Sequence, residues 1–269
     1  MIIDKFKNIL KNHPDKTAIL FKEKGRITVK NFEELYYDMF RMISYVENKG
    51  AEPGSKMIAK YDNNYGTLLL LLAALYRHYE VFFLTKDCIY ENVQKYDFFC
   101  GNGFIESLLK PKSCIKSINI KNYIYGDKEE IGFGNEGIFK FEIPSKNNIY
   151  ILKDNELNFY YNIMKTNLSR ANQIECMICD DIIQTLINVF CGIPTFIINN
   201  NGLTLGYKTI IDGVVNSCFL SKKNLMKIDD KKALINTVFY RSNDIENLET
   251  KFSKAKFIEI KYSSLGESE

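Results

Sequence analysis

The chain has 269 residues, 46% of them hydrophobic, enough to bury a sizeable core in one large domain or two modest ones. Its 36 basic and 33 acidic side chains leave a formal charge of +3, so no strong field of one sign points to nucleic acid or a membrane surface. The start, Met1-Ile2-Ile3-Asp4-Lys5, lacks the pattern of a secretion signal, and the longest apolar run, Leu68 to Leu75, stops at Tyr76-Arg77-His78, far short of the roughly 20 residues that span a bilayer.

Asp4 to Asn12 carries Ile, Phe and Leu at helical spacing and breaks at His13-Pro14-Asp15. Thr17 to Phe21 and Ile27 to Val29, joined across Gly25, predict a β-hairpin. Asn31 is a candidate cap for a helix with Phe32, Leu35, Met39, Ile43 and Val46 on one face, and Glu33-Glu34 suit its positive start. Lys49-Gly50 and Pro53-Gly54 then turn the chain into a strand at Lys56 to Ala59. A helix from about Asn64 to Tyr79, apolar nearly all round, is expected to be interior, and Val81 to Leu84 is the next strand. This alternation argues for a largely parallel sheet with helices on its faces.

From about Lys86 to Ser145 the pattern weakens into short strands and turns, so a boundary near Pro144 divides the chain into a first α/β lobe, 1–145, and a second, 146–269. Beyond it the alternation resumes. Asn148 to Leu152 reads as a strand, Leu157 to Ala171 as a helix and Cys176 to Cys179 as a strand. Asp181 to Cys191 follows as a helix capped by Gly192, then Thr195 to Ile198 as a strand, Ile245 to Ser253 as a helix and Lys256 to Ile260 as an extended segment.

Several quoted segments resemble a known family. Pro14 to Ile19, Ile27-Thr28-Val29-Lys30-Asn31-Phe32-Glu33-Glu34-Leu35, Gly50 to Gly54 and Leu68 to Leu84 are similar, in this order, to the N-terminal domain of the adenylate-forming superfamily. That superfamily holds acyl-CoA synthetases, peptide-synthetase adenylation domains and luciferases. Asn148 to Leu152 looks like the strand entering its phosphate loop, Met164 to Leu168 like the helix leaving it, and Cys176 to Ile198 like a later strand, helix and strand. Tyr262, Ser263, Ser264 and Glu267 resemble the family's adenine- and magnesium-contacting motif and form a candidate vestigial ligand pocket. The resemblance implies an α/β fold of two stacked lobes with largely parallel sheets.

The resemblance also exposes a gap. The family's loop is rich in small residues because backbone amides must wrap a triphosphate closely. Here the equivalent stretch opens with Lys153, Asp154, Asn155 and Glu156, continues to Tyr161, and contains no glycine. Its acids would repel phosphate by on the order of 1 kcal/mol per close pair in a partly screened site. The stretch is read as a helix N-terminus that has lost phosphate binding. No counterpart of the family's mobile C-terminal domain, with its catalytic lysine, is expected after the Tyr262 motif. The expectation is therefore a degenerate adenylate-forming domain acting as a non-catalytic binding or accessory protein for an acyl or aryl acid, a carrier protein or a full-length adenylating enzyme. The alternative is half of a split acid-activating ligase completed by another chain, the one case in which ATP and magnesium are expected.

Other constellations carry less. Gly132-Phe133-Gly134-Asn135-Glu136-Gly137 matches a dinucleotide motif but precedes a strand-like stretch, so it reads as a turn. Asp180-Asp181 could bind metal or act as acid and base, yet adjacent acids at a helix start more often cap it. His78 reads as a helix-end residue. Cys176-x-x-Cys179 lacks the second pair or nearby histidines of a zinc site, and the seven cysteines of the chain are expected as reduced thiols in the cytoplasm. No catalytic or metal-ligating residue is assigned, and neither nucleic acid nor membrane is expected as a partner.

Overall fold

A computed structural model of the chain describes residues 1–85, 95–103, 108, 110–112, 114, 116–132, 139–144, 149–171, 173–198, 215–228, 234–241 and 252–260. They form two compact units, each built on one largely parallel sheet. The first comprises Met1–Phe32, Asp62–Asn64 and the described part of Asn158–Ser263; the second comprises Glu33–Tyr61 and the described part of Tyr65–Leu157.

The first unit opens with α1 (Ile3–Asn12), which buries Ile3 and Phe6. A hairpin of β1 (Thr17–Glu23) and β2 (Arg26–Asn31) follows, and its two-residue loop, Lys24 and Gly25, has φ of 47° and 82°. Both values are positive, the geometry whose twist matches that of the flanking strands. The unit's other strands are β9 (Met177–Cys179), β10 (Thr195–Ile197), β11 (Ser217–Phe219), β12 (Thr237–Tyr240) and β13 (Lys256–Glu259). The sheet order is β13-β12-β11-β9-β10-β1-β2, parallel except at the hairpin. Between β9 and β10 runs α5 (Ile182–Phe190), buried at every position and followed by Gly192 at φ 72°. Such a left-handed residue closes a helix, and glycine adopts it without strain.

In the second unit β3 (Lys56–Lys60), β4 (Glu80–Leu84), β5 (Phe98–Gly101), β6 (Lys116–Asn119), β7 (Lys140–Pro144) and β8 (Ile149–Leu152) stand in the order β6-β5-β3-β4-β7-β8. All neighbours are parallel except β7 and β8. The helix α2 (Phe32–Glu47) lies in this unit from Glu33 onward, and α3 (Tyr65–Arg77) buries everything from Leu68 to Tyr76, as its unbroken apolar run predicts. His78 ends α3 in the left-handed region, at φ 60°. Ile58, Phe82, Leu84, Tyr96, Phe99 and Cys114 form an adjoining core cluster.

Two features depart from the sequence reading. The helix expected from Leu157 to Ala171 is α4 (Asp154–Leu168), so it starts three residues earlier, directly behind β8. The expected division at 145/146 falls between β7 and β8, which pair in a single sheet. Most of the helix expected over Ile245 to Ser253, and the glycine-rich stretch after Gly132, lie outside the described residues.

Candidate functional site

Two places bear on chemistry. The first is the joint between β8 and α4. One residue, Lys153, separates strand from helix. Its carbonyl accepts the Leu157 amide at 3.0 Å, and its own amide donates to Glu156 Oε2 at 2.9 Å. An acid at the third helical position reaching back to the capping amide is one half of a capping box. Asp154 stands in the same first turn, so two carboxylates complement the positive helix end. The four residues Lys153 to Glu156, singled out from sequence, thus form a closed strand-to-helix joint with no intervening loop.

The second place is the carboxyl edge of the first unit's sheet. After β9 the chain moves to β10, whereas after β11 it moves the other way, to β12. Between β9 and β11 the winding reverses, and ligands of open α/β sheets sit outside the strand ends at such a point. Here Asp180 bridges the two strand ends. The Ser221 amide donates to both carboxylate oxygens at 3.0 and 3.1 Å, the Ser221 hydroxyl donates at 2.7 Å and Asn224 Nδ2 at 2.7 Å. Asp181 has separate work: it accepts the Gln184 amide at 2.7 Å as the cap of α5, and pairs with Arg241 at 3.2 Å. The Arg241 guanidinium lies 5.4 Å from the Phe219 ring centre.

On the other side of β9, Asn63 is buried and stitches strand ends together. Its Nδ2 donates to the carbonyls of Cys179 at 2.8 Å and Ile198 at 3.0 Å, while its Oδ1 accepts from Thr185 Oγ1 at 3.0 Å. Asn63, Ser221, Asn224 and Arg241 were not singled out from sequence. One signal was present: Ser221 and Arg241, like Asp180, each follow soon after a short apolar strand, where a polar side chain meets the sheet edge.

The two cysteines of the C-x-x-C pair are free thiols. Cys176 and Cys179 are both buried, burial pushes the Cys176 thiol up to about 12, and it pushes Cys179 up as well. Among the described residues no group of three or more His, Cys, Asp or Glu is arranged to hold a metal, and no helix is long and apolar enough to cross a membrane. Tyr262, Ser263, Ser264 and Glu267 lie outside the described residues.

No family model and no curated protein matches the sequence. Solved structures do match. VinN in complex with L-aspartate superposes with a TM-score of 0.73 at 11% identity, over 96% of this chain and 74% of that one. The chain has the fold of the N-terminal domain of adenylate-forming enzymes. The same holds against the fatty acyl-adenylate ligase from L. pneumophila, solved with acyl adenylate and pyrophosphate (TM-score 0.70, 13% identity, 94% of this chain and 52% of that one). It holds again against the N-terminal subdomain of Klebsiella oxytoca NpsA (TM-score 0.70, 11% identity, 94% and 72%). The chain therefore spans about half of the ligase and nearly three quarters of the other two. In this adenylate-forming fold, the two largely parallel sheets and the helices on their faces are those expected from the sequence.

Proposed function

We propose that this chain is a non-catalytic member of the adenylate-forming fold, a binding or accessory protein for an acyl or aryl acid, a carrier protein or a partner ligase. The carrying observation is the Glu156 carboxylate on the Lys153 amide. A triphosphate needs uncrowded backbone amides at the strand-to-helix turn. Here the turn is one residue long and two acids stand in the first turn of the helix behind it. The bridged crevice between β9 and β11 supports the same reading, because Asp180 already takes the donors that a bound acid would use there.

The test is calorimetry of ATP with magnesium against the purified chain, alongside a pyrophosphate-release assay with acyl and aryl acids. No heat of binding and no pyrophosphate are expected. Micromolar ATP binding would overturn the proposal.

A further inference from the structure

A groove of about 670 Å³ lies in the first unit, between one stripe of α4 and the edge strand β13. Phe159, Ile163, Thr166 and Asn167 recur at helical spacing along α4, and with Arg170, two residues past its end, they face the groove together with Lys256 to Glu259. Its apolar lining is only partly covered: Phe159 is 46% exposed, and Ile163 and Phe257 are half-buried. Its charge is uneven. Arg170 and Lys256 are exposed cations with no ion pair to a described residue, against the one carboxylate of Glu259. Asn167, just 8% exposed, lines the same groove with a side-chain amide that makes no hydrogen bond to a described residue. That amide lines the groove with the two cations and can donate to an acceptor entering from outside.

The geometry points to a binding seat for an amphipathic carboxylate, its apolar body on Phe159, Ile163 and Phe257 and its carboxylate met by Arg170 and Lys256. An exposed aromatic surface gains from burying a flat or acyl body, and a carboxylate gains charge-assisted bonds from the two cations. The seat is distinct from the β8–α4 joint and from the sheet's carboxyl edge. It rests on the proposed function only for the choice of a small acid as ligand.

Equilibrium dialysis of 2-naphthoate and octanoate against the full chain tests it, with inorganic phosphate and 2-naphthol as charge-only and ring-only controls. Saturable binding of both acids is expected, weakened about tenfold by Arg170→Ala or Lys256→Ala, since a hydrogen bond to a charged group contributes about 1.5 kcal/mol or more. Phe159→Ala is expected to weaken 2-naphthoate further than it weakens phosphate. Both cations are exposed, so these variants are expected to keep the wild-type melting temperature, which separates lost binding from lost folding. Binding indifferent to the cation substitutions, phosphate binding as tightly as 2-naphthoate, or no saturable binding at millimolar acid would each overturn the seat. ATP titrated into the Arg170→Ala chain reports on the proposed function alone.

Discussion

Single residues carry the sharpest commitments. Asp180 accepts bonds from Ser221 and Asn224, and Asn224 is buried. Asp180→Ala leaves those donors without an acceptor, which costs about 1–3 kcal/mol for each buried group left unsatisfied. Urea denaturation is expected to show a loss of that size, and Asp180→Asn, which keeps one oxygen, a smaller one. Gly126 is needed for space: a Cβ there would run into the Arg41 carbonyl, although its φ of −83° suits any residue. Gly126→Ala is expected to destabilise by about 1–3 kcal/mol, the range for overpacking, read from the same denaturation curves.

The thiols set the pH response. Burial moves Cys176 from an ordinary 9.0 up to about 12 and also raises Cys100, Cys179 and Cys218. Above pH 9 the unfolded chain releases these protons while the native chain keeps them, so the unfolded state binds fewer protons and stability falls as pH rises. For Cys176 the loss runs from about pH 9 to about pH 12, and below pH 9 this contribution is flat. Stability measured from pH 7 to 11 is expected to decline on the alkaline side, and native iodoacetamide labelling at pH 8 to be far slower than in denaturant. Rapid native labelling of Cys176 or Cys179 would contradict this.

At the scale of elements, the long periodic segments were legible and the short ones were not. The unbroken apolar run of α3 and the turn chemistry of the Lys24-Gly25 hairpin each carry a local signal strong enough to read. Strands β11 and β12 are three and four residues long, and β5 and β6 four each, too short for a period to declare itself. The start of α4 lies three residues ahead of the apolar period, which begins only at Leu157, because Asp154, Asn155 and Glu156 carry no apolar side chain. Their helical state rests on the capping bond from Lys153 to Glu156, which pattern reading does not register. Glu156→Ala is expected to cost about 0.5–2 kcal/mol, a helix-cap magnitude, with exchange of the Lys153 amide rising in step. The candidate site was half legible: Lys153 to Glu156 and Asp180-Asp181 stood out as charged residues at helix starts. Asn63 is far from its partners Cys179, Thr185 and Ile198 in sequence, so only the folded sheet edge reveals its role.

For the whole molecule, the shared fold persists with little shared sequence. At 10 to 13% identity to the solved structures, what persists is the pattern of apolar strands and helices that the two sheets require. Function resides in the joints between them, and the proposed function turns on one joint, where the Glu156 carboxylate accepts the Lys153 amide.

The most direct measurement is the amide spectrum of isotope-labelled protein, followed at Lys153 to Leu157 while ATP and magnesium are added to 5 millimolar. With the Lys153 amide held by Glu156, these signals are expected to stay where they are and the Lys153 amide to remain slow to exchange. Saturable shifts at those five amides at micromolar nucleotide would contradict this.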